Sequence, residues 1–244
     1  MIPLIRNTFF TMPRETYSQL GEDIVVDNLL AWMGLNPFGK GFYLDLGAYH
    51  PSEKSNTRFF YERNSRGINV DVGKEKKALF EYERPDDLFW ETAVVPDDSY
   101  GKNVKFSFTG DYGAPDDFMI DAGDKHIRPE QNLEHRRIVQ VKATTIHSLL
   151  KKAKSLRIWQ ESEWRILNVD IEGMDEEVIQ NIDFAEFPFE ILLVEDFIPK
   201  KSDWRNKIFH LINGPVYHSL FEQGYSLQHV CGPTLIFCRI QSKK

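Results

Sequence analysis

The chain has 244 residues, 41% apolar and 13% aromatic, which is enough for a sizeable core and excludes a disordered chain. Its formal net charge of -7 argues against nucleic-acid binding by a broad basic surface. No apolar run reaches the ~18–20 residues of a membrane span, and Met1 to Arg6 lacks the basic-then-apolar layout of a signal peptide. The two cysteines, Cys231 and Cys238, share one C-terminal segment, form no framework and fit a reducing compartment. These features predict a cytoplasmic protein of one domain, residues 1–244.

Residues 19–33 read as an amphipathic helix, with Leu20, Ile24, Leu29 and Leu30 near helical spacing and Ser18 as its N-cap. Glu22 and Asp23 in the first turn suit the helix dipole. Asn36 to Gly39 breaks this N-terminal segment, 1–36. A strand is expected at 42–46, a helix at 55–64, a second strand at 67–71, a helix at 74–83 and a third strand from Leu88 to Val95. Residues 97–140 differ. Val104 to Phe108 alternates like a short strand, and 110–137 is rich in Asp, Gly, His and Arg. This stretch reads as an insertion, part hairpin and part long loop, of a kind that is usually functional or disordered. Ile138 to Ala143 returns as a strand, followed by a helix over 145–154 capped by Thr144 or Thr145. Arg165 to Ile171 is a nearly all-apolar strand, as in a sheet covered on both faces. A helix at Met174 to Ile182, a strand at Phe189 to Glu195, and helices at 204–212 and 216–223 follow. Residues 225–230 and 234–239 close the chain as a hairpin. Alternating strands and helices predict an α/β fold, with a mostly parallel sheet, helices on both faces and a C-terminal antiparallel hairpin.

Gly41 to His50 is the most informative stretch. An apolar strand runs into Asp45 and a lone glycine, Gly47, and the next strand ends on Asp71. Strand, close-approach turn, helix and a strand ending in a carboxylate make a nucleotide-binding half-unit, whose carboxylate can accept both ribose hydroxyls. The G-x-G-x-x-G and P-loop patterns are absent, so this turn is not built for a pyrophosphate. S-adenosylmethionine has no phosphates. It needs an amino-acid grip, a ribose acceptor and an apolar adenine slot, and Asp45, Gly47, Asp71 and the small Ala93 meet those needs.

Several segments, in matching order, resemble the FkbM-like methyltransferases. Tyr17 to Asp23 is similar to that family's Y-S-Q-x-G-E-D opening. Asp45 to Pro51, Ser55-Asn56-Thr57 and Gly67-Ile68 are similar to its D-x-G-A-x-x-P, S-N-T and G-I segments. Asn168 to Gly173 is similar to its D-x-E-G motif, and Ile191 to Glu195 to the strand that follows. The resemblance covers roughly residues 17 to 240. It implies a Rossmann-like class I methyltransferase fold using S-adenosyl-L-methionine, and methylation of hydroxyl groups on sugars, glycoconjugates or natural-product scaffolds. By the same resemblance Asp45 and Gly47 line the methionine side of the cofactor, Ala48 is among the cofactor-binding residues, Ser55 and Asn56 lie close to the cofactor, Asp71 holds the ribose, and Gln19 reaches the site from a segment folded over it. The chain has Asp71-Val72-Gly73 where the family more often has Glu-Pro.

Ligands of open α/β sheets bind beyond the carboxyl ends of the strands. Asp170, Glu172 and Glu195 fall there and are the candidates for a base that takes the proton of an alcohol acceptor. They are also the candidate ligands for Mg²⁺, a cation that suits oxygen donors with open positions. Asp170 is in addition a candidate for the cofactor's amino group. His50 follows the glycine turn and is placed to face cofactor or acceptor. Tyr112, His126, Arg128 and Arg136 in the insertion supply the aromatic faces and planar donors that a sugar requires. The expected partner is a small-molecule or oligosaccharide acceptor, with no nucleic acid and no membrane span. A non-catalytic binding module of the same fold is the alternative from a different class.

Overall fold

Every residue of β1 (Gly41–Leu46) is buried, because this strand is central in a seven-stranded sheet. The computed structural model describes residues 14–109, 118–120, 136–171, 173–196, 209 and 211–240. The remaining strands of the main sheet are β2 (Arg66–Asp71), β3 (Leu88–Glu91), β8 (Trp164–Val169), β9 (Ile191–Glu195), β10 (Tyr225–Cys231) and β11 (Thr234–Arg239). Their order is β10-β11-β9-β8-β1-β2-β3. All neighbours are parallel except β11, which runs antiparallel to both β9 and β10. The chain therefore has the Rossmann-like methyltransferase architecture, with the closing hairpin where it was expected. β1 and β8 adjoin at the point where the strand order reverses, which is where open α/β sheets place their ligands.

Period-two alternation divides the core between the two faces. Phe42, Leu44 and Leu46 of β1 join Leu167, Val169, Leu192 and Val194 on one face. That face is covered by α4 (Ile146–Lys154), α6 (Asp175–Gln180) and α7 (Pro215–Glu222) through Leu149, Leu150, Val178, Ile179, Val216 and Leu220. Tyr43, Trp164, Ile166, Ile191 and Leu193 face the other way. They meet Val26 and Leu30 of α1 (Glu22–Trp32) and Phe59 and Phe60 of α2 (Arg58–Tyr61). α3 (Lys74–Glu83) lies between β2 and β3, and a short α5 (Arg157–Gln160) without a sequence signal precedes β8. No described helix is long and apolar enough to cross a membrane.

The stretch expected to be one strand, Leu88 to Val95, is two. It breaks at Thr92, and β4 (Ala93–Val95) leaves the main sheet to pair in parallel with β7 (Arg136–Thr145). The Thr92 hydroxyl holds the crossing point, 3.1 Å from the Lys142 carbonyl and 2.9 Å from the Thr144 hydroxyl. A second sheet, β4-β7-β5-β6, results, with β5 (Asn103–Thr109) antiparallel to both β7 and β6 (Phe118–Ile120). β7 is longer than the Ile138 to Ala143 expected because it pairs with β5 as far as Arg136. The helix expected over 55–64 is only the single turn of α2. Most of the helix expected over 204–212 lies outside the described residues.

α1 starts later than expected, and Ser18 is not its N-cap residue. That position is Gly21, at φ +87°, outside the reach of most side chains. Ser18 acts from further back: its hydroxyl accepts the Asp23 N–H at 3.3 Å while the Asp23 carboxylate accepts the Tyr17 N–H at 2.8 Å.

Gly67 of β2 faces the ring of Tyr43 so closely that a Cβ there would lie 2.0 Å from the ring and 2.4 Å from the Tyr43 carbonyl oxygen. The ring has little room to turn away, because its hydroxyl donates to Asp87. Gly67→Ala is expected to lower stability by about 1–3 kcal/mol, measured by urea denaturation with the slope unchanged.

Candidate functional site

At the carboxyl end of β1 the chain turns through Gly47, at φ +82°. The Gly47 and Ala48 N–H groups both donate to the Val70 carbonyl, at 2.9 and 3.2 Å, and the Asp170 N–H donates to the Leu46 carbonyl at 3.0 Å. A Cβ on Gly47 would lie 1.7 Å from the Asp170 carbonyl oxygen. Glycine is required here for both its backbone conformation and its lack of a side chain. The ends of β1, β2 and β8 are thereby drawn together around one cavity.

That cavity encloses about 1080 Å³ of empty space, including its part open to solvent. Gln19, Asp45, Gly47, Ala48, Ser55, Asn56, Asp71, Ala93 and Asp170 all line it, together with His50 and Glu195. Lys54, Lys76, Thr92 and Val94, which the sequence did not single out, complete much of the wall together with Asn168 and Ile171 of the D-x-E-G segment. Tyr112, His126, Arg128 and Glu172 lie outside the described residues. Arg136 opens β7, opposite Thr109.

Asp45 is 3% exposed, so its carboxylate is held from within the protein. One oxygen accepts the Thr57 hydroxyl at 2.6 Å and the other the Asn168 amide at 2.9 Å, and Asn168 in turn accepts from the Asn56 amide at 3.0 Å. Burial raises the Asp45 pKa above its ordinary value, opposed by the Thr57 bond, the charge of Arg84 and the Asn168 bond. Arg84, missed by the sequence reading, donates from both terminal nitrogens to the Thr57 oxygen at 3.1 Å. It forms a fully buried ion pair with Asp87, which also accepts from Tyr43, the Gly67 N–H and the Asn69 amide. Its one sequence signal is its place before Pro85, in the turn between α3 and β3.

Asp71 ends β2 at the cavity, but it already has company. One oxygen accepts the Val72 N–H at 2.6 Å and the other the Lys76 ammonium at 2.7 Å. Each carboxylate oxygen retains a second lone-pair direction. The His50 ring caps its own turn: Nδ1 accepts the Ser52 and Glu53 N–H groups at 3.1 and 2.9 Å. Two donors at Nδ1 put the ring proton on Nε2. Gln19 is exposed, on a segment fixed at both sides. Asp23, completely buried, gathers the Thr16 hydroxyl, the Tyr17 N–H and the Ser18 hydroxyl, and the Ser55 N–H donates to the Tyr17 carbonyl at 2.9 Å.

Asp170 and Glu195 stand at the ends of adjacent strands, β8 and β9, and both line the cavity. Among the described residues no group of three His, Cys, Asp or Glu side chains is arranged to hold a metal ion, and Glu172 is not among them. The loop after β8 is shaped by Asp175, the second residue of the helix expected at Met174 to Ile182. The two Asp175 carboxylate oxygens accept the Ile171 and Gly173 N–H groups at 2.9 and 3.0 Å. Burial pushes the Asp175 pKa up to about 6 from its ordinary 3.8, against the pull of those two bonds and with a further push from the charge of Glu195. The folded state thus binds this proton more tightly than the unfolded chain. The stabilisation is complete below the ordinary value and is lost as pH rises through about 6. Asp175→Asn carries no such titration. Its stability relative to wild type is expected to improve by roughly 1 kcal/mol between about pH 5 and about pH 8, as read from urea denaturation at the two pH values.

Comparison of the chain with curated proteins gives no match. The methyltransferase FkbM domain matches residues 45–227, a span that begins at Asp45 and takes in the Gly47 turn, Asp71, the β8 loop and Glu195. With that domain over most of its length, and with a cavity at the switch point of a methyltransferase-type sheet, the chain belongs to the FkbM methyltransferase family.

Proposed function

We propose that the protein is an S-adenosyl-L-methionine-dependent O-methyltransferase acting on a hydroxyl of a sugar or glycoconjugate, in the cytoplasm. The observation that supports this reading is the convergence of Asp45, Gly47, Asp71, Ala93, Asp170 and Glu195 on one cavity. The wall suits this cofactor: carboxylates for an ammonium and a ribose, Val72, Ala93 and Val94 for an adenine, and one glycine turn in place of a phosphate cradle.

The bound cofactor would supply a methyl group on a sulfonium, open to direct displacement. Asp71 would accept ribose hydroxyls on its remaining lone pairs. Asp170 or Glu195 would take the acceptor's hydroxyl proton as the oxygen–carbon bond forms and the carbon–sulfur bond breaks. Alignment contributes the rest, since a bound acceptor reacts as though it were at very high concentration. The acceptor face belongs in this reading to residues 97–140, including Tyr112, His126, Arg128 and Arg136. Of the three carboxylates expected to suit Mg²⁺, Asp170 and Glu195 line the cavity and Glu172 lies outside the described residues.

Calorimetric titration with S-adenosylhomocysteine tests the cofactor assignment. Wild type is expected to bind, and Asp71→Ala to bind at least tenfold more weakly, about 1.4 kcal/mol. Absence of wild-type binding by folded protein would sink the reading. Methyl transfer is then measured with a panel of sugar nucleotides and oligosaccharides. Of Asp170→Asn and Glu195→Gln, the one that removes the base is expected to lower kcat by roughly 10²–10⁴-fold. Glu195→Gln should leave homocysteine-product affinity within a fewfold of wild type.

A further inference from the structure

We propose that Arg84 is a positioning residue for cofactor binding, fixing through the Thr57 hydroxyl the Asp45 carboxylate at the cavity wall. The inference rests on the cofactor assignment made above. Arg84 does not line the cavity and is 1% exposed, so it acts only through what it touches.

Hydrogen counting gives the direction of the relay. An arginine has donors only, so both 3.1 Å contacts from its terminal nitrogens use lone pairs of the Thr57 oxygen. The single hydroxyl proton is then left for Asp45, which receives it at 2.6 Å. The Ser55 hydroxyl also lies 3.5 Å from the Thr57 oxygen, and the far shorter contact with a carboxylate sets the direction of the Thr57 proton. The guanidinium is itself immobile. It is paired with the buried Asp87 and lies over the rings of Tyr43, Tyr61 and Phe80, 5.2 to 5.4 Å from their centroids. It also reaches the Pro51 carbonyl at 3.5 Å and the Ser55 hydroxyl at 3.4 Å, so the turn after β1 and the Ser55-Asn56-Thr57 segment share one anchor.

The chemistry this serves is recognition of a cation. Burial pushes the Asp45 carboxyl toward the protonated form, and a protonated Asp45 would meet the ammonium of the cofactor's amino-acid end with no charge. The Thr57 bond, the Arg84 charge and the Asn168 bond all oppose that push, while the negative charge of Asp71 adds to it. Removing the relay therefore weakens binding most at low pH.

The test is the affinity of wild type and folded variants for S-adenosylhomocysteine from about pH 6 to about pH 8.5, taken as a variant-to-wild-type ratio so that the ligand's own titration cancels. Thr57→Val keeps the side-chain shape and deletes the relay. It is expected to bind at least tenfold more weakly at the low end, with the ratio climbing toward one as pH rises. Thr57→Ser keeps the hydroxyl and should stay within about threefold throughout. Arg84→Lys retains a charge for Asp87 without a two-nitrogen contact to Thr57. It should show the same pH-dependent ratio, and the double variant should be no worse than Thr57→Val. A Thr57→Val ratio near one at every pH, a pH-independent loss shared by Thr57→Ser, or additive losses in the double variant would each overturn the proposal. The Thr57 pair decides it even where Arg84→Lys does not fold. Failure of wild type to bind would overturn the cofactor assignment as well, which separates the two failures.

Discussion

The structure turns on one guanidinium. Arg84 is buried among aromatic rings beneath the sheet, where an uncompensated charge would cost several kcal/mol. It is tolerated because every side is answered: Asp87 on one edge, the Thr57 and Ser55 oxygens on the other, and a stack of ring faces. Asp87 is answered in turn by Tyr43, Gly67 and Asn69 from β1 and β2. The pair therefore ties the α3–β3 turn to the two central strands and to the loop that follows β1. Burial without full pairing would make it a liability, and the completeness of the pairing is what turns it into a framework.

Around that framework the chain closes its cavity from three directions. Gly47 brings the β1 turn against the Asp170 carbonyl, Asp175 gathers the amides of the loop after β8, and Asp23 folds the N-terminal segment so that Gln19 reaches the rim. In each case a buried carboxylate or a missing side chain fixes the backbone, and the residues facing the cavity follow. Tyr100 adds a fourth tie, donating to Glu177 and joining the turn beyond β4 to α6; its own pKa is pushed up to about 12 by that bond.

Much of this was legible in the residues. The strands of the main sheet have strong patterns, alternating or wholly apolar, because both faces of the sheet are covered, so β1, β2, β8, β9 and the closing hairpin fall where the pattern puts them. The cavity-lining residues near Gly47 were legible because a turn with one glycine between an acidic strand end and a second acidic strand end is a local feature. What was not legible is long-range. Arg84 reads as one charge in a charged turn, and nothing nearby in sequence says that Tyr43 and Thr57 will surround it. Asp175 reads as one of three acids in a helix first turn, although its carboxylate is spent on two amides upstream. The break at Thr92 was missed because Leu88 to Val95 is uniformly strand-like, and only pairing with β7, some fifty residues away, divides it. The same pairing explains why a stretch poor in apolar residues is bounded by a regular sheet.

Ala93 stands one residue past that break, on the cavity wall and at the head of the second sheet. The chain leaves the main sheet there and rejoins it only at β8, whose register is set by β1 and β9. A slip of one residue in β8 would turn every one of its side chains to the wrong face. Segments of different length between β5 and β7 can be exchanged without transmitting such a slip, since the ladder that pins Asp170 beside Gly47 does not pass through them. The break thus lets the segment between β5 and β7 vary while the strand ends that form the cavity stay constant.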